Sequence, residues 1–127
     1  EQMPVQALTA RRVFIGARAE EYAFARYLEE WRMKVERVGN LNYPEAARRQ
    51  RLYGHLLITV EINADGSLRK AVIEHSSGSA ILDEAAVQIV RMAAPFAVFS
   101  AAMRQKADIV SISKTVTFTR SDQLSAE

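Results

Sequence analysis

The strongest constraint on the fold of this chain is a stretch of alternating side chains that runs into a tight turn. Between residues 56 and 63, one set of alternate positions is entirely apolar: Leu56, Ile58, Val60 and Ile62. A period of two residues is typical of a β-strand with one face against a core. The strand ends in Asp65-Gly66, a pair that tolerates the positive φ of a hairpin turn. Leu68–His75 is therefore predicted to return antiparallel, so the chain must build a sheet.

A long helix is predicted before this sheet. Apolar side chains recur there at steps of three and four residues, which places them on one helix face. They are Phe24, Tyr27, Leu28, Trp31, Val35 and Val38. We expect this helix to run from about Ala10 or Ala17 to Val38 and to stop at Gly39. Residues 1–39 are accordingly interpreted as an N-terminal helical extension.

Two further helices flank the predicted hairpin. Pro44 suits the first position of a helix and Glu45 suits its first turn, which predicts a short helix that ends before Gly54. A longer helix follows the hairpin and ends at Pro95, because its apolar positions again share one face. Those positions are Leu82, Ala85, Ala86, Ile89, Val90 and Ala93.

Residues 109–119 form the last predicted strand. Its apolar face holds Val110, Ile112, Val116 and Phe118, and its polar face holds Ser111, Ser113, Thr115 and Thr117. Lys114 interrupts the apolar face, which indicates either a β-bulge or a charge that blunts an exposed edge. Residues 121–127 are polar and are expected to form a flexible tail.

The order of these elements predicts an α+β fold in two layers. We expect a three-stranded antiparallel sheet packed on one long helix, with a short helix before the sheet and an additional N-terminal helix. The main domain is placed at residues 40–120. The last strand is placed at an edge, where unpaired N–H and C=O groups would bind an extended peptide by strand addition. The alternative is a purely structural strand, covered by the tail or by the N-terminal helix.

The composition argues against several classes of function. The chain has no cysteine, which rules out disulfides and thiolate metal sites. His55 and His75 stand apart from other ligand-type residues, and no catalytic constellation is present, so we predict no metal, no cofactor and no enzymatic activity. A net charge of +2 is nearly balanced. The basic residues in 48–51, near Tyr43 and Tyr53, are therefore interpreted as a solvated helix face and not as a nucleic-acid site.

Several short motifs resemble, in their order and spacing, the C-terminal domain of TonB-type energy transducers. They are Asn40-Leu41-Asn42-Tyr43-Pro44, Gly54, Val60-Glu61-Ile62-Asn63-Ala64-Asp65-Gly66, Ser76-Ser77-Gly78 and Leu82-Asp83-Glu84-Ala85-Ala86. The resemblance covers residues 39–119. The preceding segment is similar to an extension found in one branch of the family. Residues 94–99 differ from the Trp-Arg-Tyr or second proline of many members, and we expect this region to pack and not to bind.

The resemblance implies a periplasmic domain of a protein anchored in the inner membrane of a Gram-negative bacterium. Such a domain grips the TonB box, an extended peptide of an outer-membrane transporter, and pulls with energy that an ExbB–ExbD complex takes from the proton-motive force. The cargo classes are siderophores, haem and vitamin B12-type ligands. The chain begins at Glu1 without an initiator methionine. We therefore expect the anchor and linker to lie upstream.

The resemblance also implies a set of partner-binding residues. The set is Asn40, Leu41, Asn42, Tyr43 and Pro44 before the short helix, and Ile109, Ser111, Ser113, Thr115 and Thr117 on the last strand. Asn40 takes the position of a glutamine that contacts the box in the family. The alternative is a structural, envelope-spanning domain similar to TolA that recruits a different outer-membrane or cell-surface assembly. A second copy of the chain, in a homodimer, also stays open as a partner.

Overall fold

The structure is a computed structural model that describes residues 10–15 and 21–127. Its strands are β1 (Arg12–Phe14), β2 (Gly54–Asn63), β3 (Leu68–His75), β4 (Ile109–Phe118) and β5 (Leu124–Ala126). Its helices are α1 (Tyr22–Leu41), α2 (Glu45–Gln50), α3 (Ala80–Ala93) and α4 (Ala101–Arg104). The predicted α+β class is confirmed. The predicted three-stranded antiparallel sheet is wrong, because the described residues form one mixed sheet of five strands.

The last long strand, β4, lies inside the sheet and not at its edge. The strands follow the order β1-β4-β2-β3, and β5 also pairs with β4. β4 pairs antiparallel with β2 over the whole length of both strands. On its other side it pairs in parallel with β1 and antiparallel with β5. The prediction of an open edge here is therefore corrected, since two short strands cover it.

The length of these covering strands explains why the sequence pattern missed them. Each has three residues, which is too short for a period of two to stand out. β5 follows a turn in which Asp122 has a φ of 60°, and it occupies the segment that was expected to be a flexible tail. The bulge considered at Lys114 is not observed, because the β2–β4 register runs without a shift through this residue.

Helix α1 differs from its prediction at both ends. The predicted start near Ala17 lies outside the described residues, and the region after Ala10 forms a strand instead of a helix. The helix also continues past Gly39 to Leu41. Gly39 lies inside the helix and does not end it. A Cβ built on Gly39 would lie 3.0 Å from a methyl carbon of Leu124, so a larger residue would crowd β5. Its missing side chain lets β5 approach the helix closely.

Both long helices cover the same face of the sheet, which corrects the expectation of a single covering helix. Trp31 of α1, Ile89 of α3 and Ile58 of β2 are all fully buried in one continuous core. Ser79 caps α3 by accepting a hydrogen bond from the backbone N–H of Leu82. None of the helices in the described ranges combines the length and the apolar character that a membrane span requires.

Candidate functional site

The candidate residues of β4 fall into two groups with different neighbours. Ile109 and Ser111 lie beside β1, in register with Arg12 and Phe14. Thr117 lies beside Ser125 of β5. The pairing with the C-terminal segment extends to Thr115, whose backbone exchanges hydrogen bonds of 2.9 and 3.0 Å with Glu127. The two halves of this strand are therefore covered by opposite ends of the chain.

Ser113 lies between these two covering strands. The pairing with β1 ends at Ser111 and the pairing with the C-terminal segment begins at Thr115. The Ser113 side chain is exposed on the outer face, 2.9 Å from the Thr59 hydroxyl of β2. Ser111 differs sharply, since it is 2% exposed and its hydroxyl is buried without a hydrogen-bond partner. The middle of β4 is thus the part of the strand that the two covering segments leave between them.

Strand β5 occupies a slot between β4 and helix α1. The Asn40 side chain faces it, with Oδ1 accepting from the Leu124 N–H at 2.7 Å and Nδ2 donating to the Leu124 carbonyl at 3.4 Å. One turn earlier on the helix, Glu36 Oε2 accepts from the Ala126 N–H at 2.8 Å. β5 is therefore hydrogen-bonded on both flanks: by the β4 backbone on one side and by helix side chains on the other.

The side chains of β5 complete the fit of this segment in the slot. Leu124 is 3% exposed and Ala126 is fully buried, whereas Ser125 between them is partly exposed. The Leu124 methyl carbons reach the space left by Gly39, which also adjoins Ile89 of α3. The slot thus accepts an extended segment with alternating inward apolar and outward polar side chains.

Residues 41–44 lie near the C-terminal end of β4, and only some of their side chains face that strand. The Tyr43 ring packs edge-on against Phe118 with 5.8 Å between centroids, and burial raises the pKa of its phenol. The Arg48 guanidinium lies over the same ring. Pro44 precedes α2 as its N-cap. Leu41 is 78% exposed.

Asn42 turns back toward helix α1. Its Nδ2 donates to the Val38 carbonyl at 2.8 Å, and its backbone N–H donates to the same carbonyl at 3.0 Å. Asn42 therefore closes the C-terminal end of the helix. Of the five candidates at 40–44, Asn40 is placed against β5 and Tyr43 against β4.

Strand β1 is held by exposed and half-buried polar contacts. The Arg11 guanidinium bonds Asp108 at 3.1 Å and the carbonyls of Gln105 and Arg104 at 2.7 Å each. The hydrogen bonds that Asp108 accepts from the Arg11 side chain and backbone N–H hold the pKa of its carboxyl below its usual range. Arg12 also pairs with the buried Glu61 at 3.0 Å. Charged side chains thus add to the pairing of β1 with β4, whereas buried apolar side chains and helix side chains add to the pairing of β5.

The two histidines, considered separately in the sequence, line one shallow cavity of about 290 Å³ together with Thr115. Within residues 10–15 and 21–127, no group of three His, Asp or Glu side chains is arranged to hold a metal ion.

Three residues of the slot are absent from the set expected from the sequence: Glu36, Gly39 and Leu124. Nothing in the sequence separates Glu36 from the other charged residues of this helix, and Gly39 is interpreted from the sequence as a helix stop. The apolar-polar-apolar order of residues 124–126 is compatible with a strand, but three residues are too few for a period of two to stand out.

Replacing Asn40 by alanine is expected to destabilise the domain by about 1–2 kcal/mol, because it leaves the Leu124 N–H without its side-chain acceptor. The amide protons of β5 should then exchange faster with solvent. Asn42→Ala is the matched control, since it removes a similar side chain that bonds within α1. Urea unfolding and amide hydrogen exchange measure both effects. Equal acceleration of β5 exchange in the two variants would contradict the assignment.

The chain matches known proteins in sequence family and in fold. Residues 39–119 match the family model described as the C-terminal domain of the Gram-negative bacterial TonB protein. The fold is similar to the NMR solution structure of the Helicobacter pylori TonB C-terminal domain (residues 179–285), with a TM-score of 0.60. The two are 21% identical, and the match covers 78% of this chain and 92% of that one. No curated protein sequence matches the chain.

Proposed function

Because this chain belongs to the family of Gram-negative TonB C-terminal domains, we propose that it captures the TonB box of an outer-membrane transporter in the place now held by β5. The family itself is one of periplasmic, transport-coupling domains that bind partners and are not enzymes. The finer proposal concerns which strand receives the peptide and which residues hold it. It corrects the simple picture of an open edge on β4, which the topology excludes.

The observation that carries the proposal is the way the chain's own β5 is bound. An extended segment lies there with backbone hydrogen bonds to Thr115 on one flank and to Asn40 on the other. Its apolar side chains enter the core beside Gly39. These are the contacts through which strand addition recognises a peptide: main-chain bonds for affinity and pockets for alternate side chains. The slot therefore suits an extended peptide, and in this structure the chain's own β5 lies in it.

The energetics favour an exchange of one segment for another. β5 has three residues, and each backbone hydrogen bond contributes a net of about 0.5–1.5 kcal/mol. An incoming peptide would form equivalent hydrogen bonds, and these would offset most of the free energy needed to displace β5. A peptide longer than β5 would also reach the outward N–H and C=O groups of Ser113, which lies between the two covering strands. This additional length gives the transporter peptide its advantage over the internal strand.

The proposal assigns separate roles to the candidate residues. Thr115 and Thr117 supply the backbone ladder, Asn40 bonds the outer flank of the peptide, and Tyr43 supports this end of β4 through Phe118. Ser113 extends the ladder. Pro44 fixes the start of α2.

The remaining candidates take no direct part. Ile109 and Ser111 remain paired with β1. Leu41 and Asn42 are directed away from the slot.

In the full role, an upstream anchor working with an ExbB–ExbD complex supplies the pull, and the cargo is a siderophore, haem or a vitamin B12-type ligand.

A titration of isotope-labelled protein with a TonB-box peptide, followed by NMR, tests the proposal. We expect chemical-shift changes at Asn40, Tyr43 and Thr115–Phe118, and loss of hydrogen-exchange protection in β5 because that strand is released. A peptide of the same composition in scrambled order is the control. Absence of shifts with any box peptide would refute the proposal and favour the TolA-like role. Shifts that leave β5 protected would refute the exchange of strands.

A further inference from the structure

The sheet has a second edge, formed by β3, which the proposed function does not use. β3 is the terminal strand of the order β1-β4-β2-β3 and pairs with β2 on its inner side. In the part of the chain that the structure describes, no strand pairs with its outer side. An unpaired edge of this kind is a template for another strand unless it is blocked.

The strand registers show which backbone groups point outward from this edge. Thr115 bonds Glu127 on the side away from β2. Alternate residues of an antiparallel strand bond to opposite neighbours. Carried across the β4–β2 and β2–β3 registers, this alternation directs Thr59 and Val72 toward each other. Ala71 and Ile73 therefore present their N–H and C=O groups outward.

The exposed side chains along the β3 edge include opposite charges, so this edge is complementary to the same edge of a second copy. Lys70 and Glu74 are exposed and stand two residues before and two residues after Val72, which is 40% exposed. If two copies of β3 run antiparallel about Val72, each Lys70 lies opposite a Glu74 of the other copy. The same register places Ala71 opposite Ile73, which are the residues with outward backbone groups. Charge and hydrogen bonding thus select one alignment.

Helix α3 repeats this complementarity above the edge. A cavity of about 340 Å³ lies between β3 and α3, and its lining includes Ile73 and Val87. Glu84 and Arg91 also line it, from the N-terminal and C-terminal halves of the helix respectively. A two-fold axis through Val72 runs the two helices antiparallel, which brings Glu84 of one copy alongside Arg91 of the other. The second copy also covers the apolar part of the cavity with its own Ile73.

We propose that two copies of this chain associate through antiparallel pairing of β3 about Val72. A foreign neutral strand would leave Lys70 and Glu74 without partners, whereas a second copy satisfies both. The β2–β3 register shifts on either side of residues 70–73, so the regular contact is short and the dimer is reversible. This interface is independent of the proposed peptide exchange, because it uses the opposite edge of the sheet.

A single cysteine tests the alignment directly, since the chain contains none of its own. Val72 faces its copy across a non-hydrogen-bonded pair, where Cβ atoms are close enough for a disulfide. Val72→Cys should form a covalent dimer with oxidised glutathione. Lys70→Cys is the matched control on the same strand and face, and it should stay monomeric because its own copy lies four residues away. Equal cross-linking of the two variants would overturn the proposed alignment.

Charge reversal tests the interface without a covalent bond. In sedimentation equilibrium, Lys70→Glu should weaken dimerisation about tenfold, because each dimer then holds two like-charge pairs. The double exchange of Lys70→Glu with Glu74→Lys should restore it. Circular dichroism confirms that the variants are folded. A chain that stays monomeric at every concentration, or a double variant that fails to recover, would overturn the proposal.

Discussion

Replacing Gly66 by alanine is expected to destabilise the domain by about 4 kcal/mol, close to the upper end of single-residue effects. Gly66 closes the β2–β3 turn with a φ of 90°, a conformation that L-residues rarely adopt. A Cβ at this position would lie 2.2 Å from the carbonyl oxygen of Phe96. The turn cannot move away easily, because the Gly66 carbonyl accepts the Phe96 N–H at 2.8 Å. Backbone strain and a steric clash therefore act together.

The chain offers a control that separates these two effects. Gly78 has the same φ of 90°, and a Cβ built there meets no atom within 4 Å. Gly78→Ala should therefore cost about 1–2 kcal/mol, from backbone conformation alone. The single tryptophan, Trp31, is buried, so its fluorescence reports urea unfolding of both variants. Equal losses in the two variants would show that the contact with Phe96 carries no penalty.

Replacing Leu124 by serine is expected to strengthen the binding of a TonB-box peptide about tenfold. Leu124 is the buried apolar anchor of β5, and without it the slot stands open in a larger fraction of molecules. Apparent affinity rises with that fraction, because the peptide no longer has to displace a well-packed strand. The same change should lower stability by about 2–3 kcal/mol. Calorimetric titration measures the expected gain in peptide affinity, and urea unfolding measures the expected loss of stability.

Gln123→Ser is the control for this variant, since Gln123 is the exposed neighbour at the start of the strand. It should leave both peptide affinity and stability nearly unchanged. Unaltered or weaker peptide binding by Leu124→Ser would mean that the peptide does not compete with β5. The proposed exchange would then have to be abandoned, although membership of the family would stand.

The long elements of the fold were predictable because each carries its own periodicity. The alternation of β2, the Asp65-Gly66 turn and the helical face of α3 are local signals that packing merely confirms. The positions of β1 and β5 were not predictable in this way. Three residues give no period, and both strands exist because β4 offers them a partner about 100 and 8 positions away in sequence respectively. The edge assignment failed for this reason.

The candidate site shows the same division. Asn40 and Tyr43 came from the family resemblance, and the structure places them against β5 and β4 respectively. From the sequence alone Gly39 is predicted to end the helix, because glycine commonly ends helices. Its use inside α1, to admit a methyl group from another part of the chain, depends on a tertiary contact. No local pattern contains that information.

The arrangement of strands has a mechanical consequence for a domain that transmits a pull. β1 joins the chain to the sheet beside Ile109, and the slot for the peptide lies farther along the same β4 strand. In the proposed role, tension that arrives through the chain before Arg12 passes into β4 and out to the transporter along a single strand. The two joints act in series, so the hydrogen bonds of each joint carry the whole tension in shear. Strand β1, strand β4 and the bound peptide therefore lie along the line of force, and the hydrophobic core lies to one side of it.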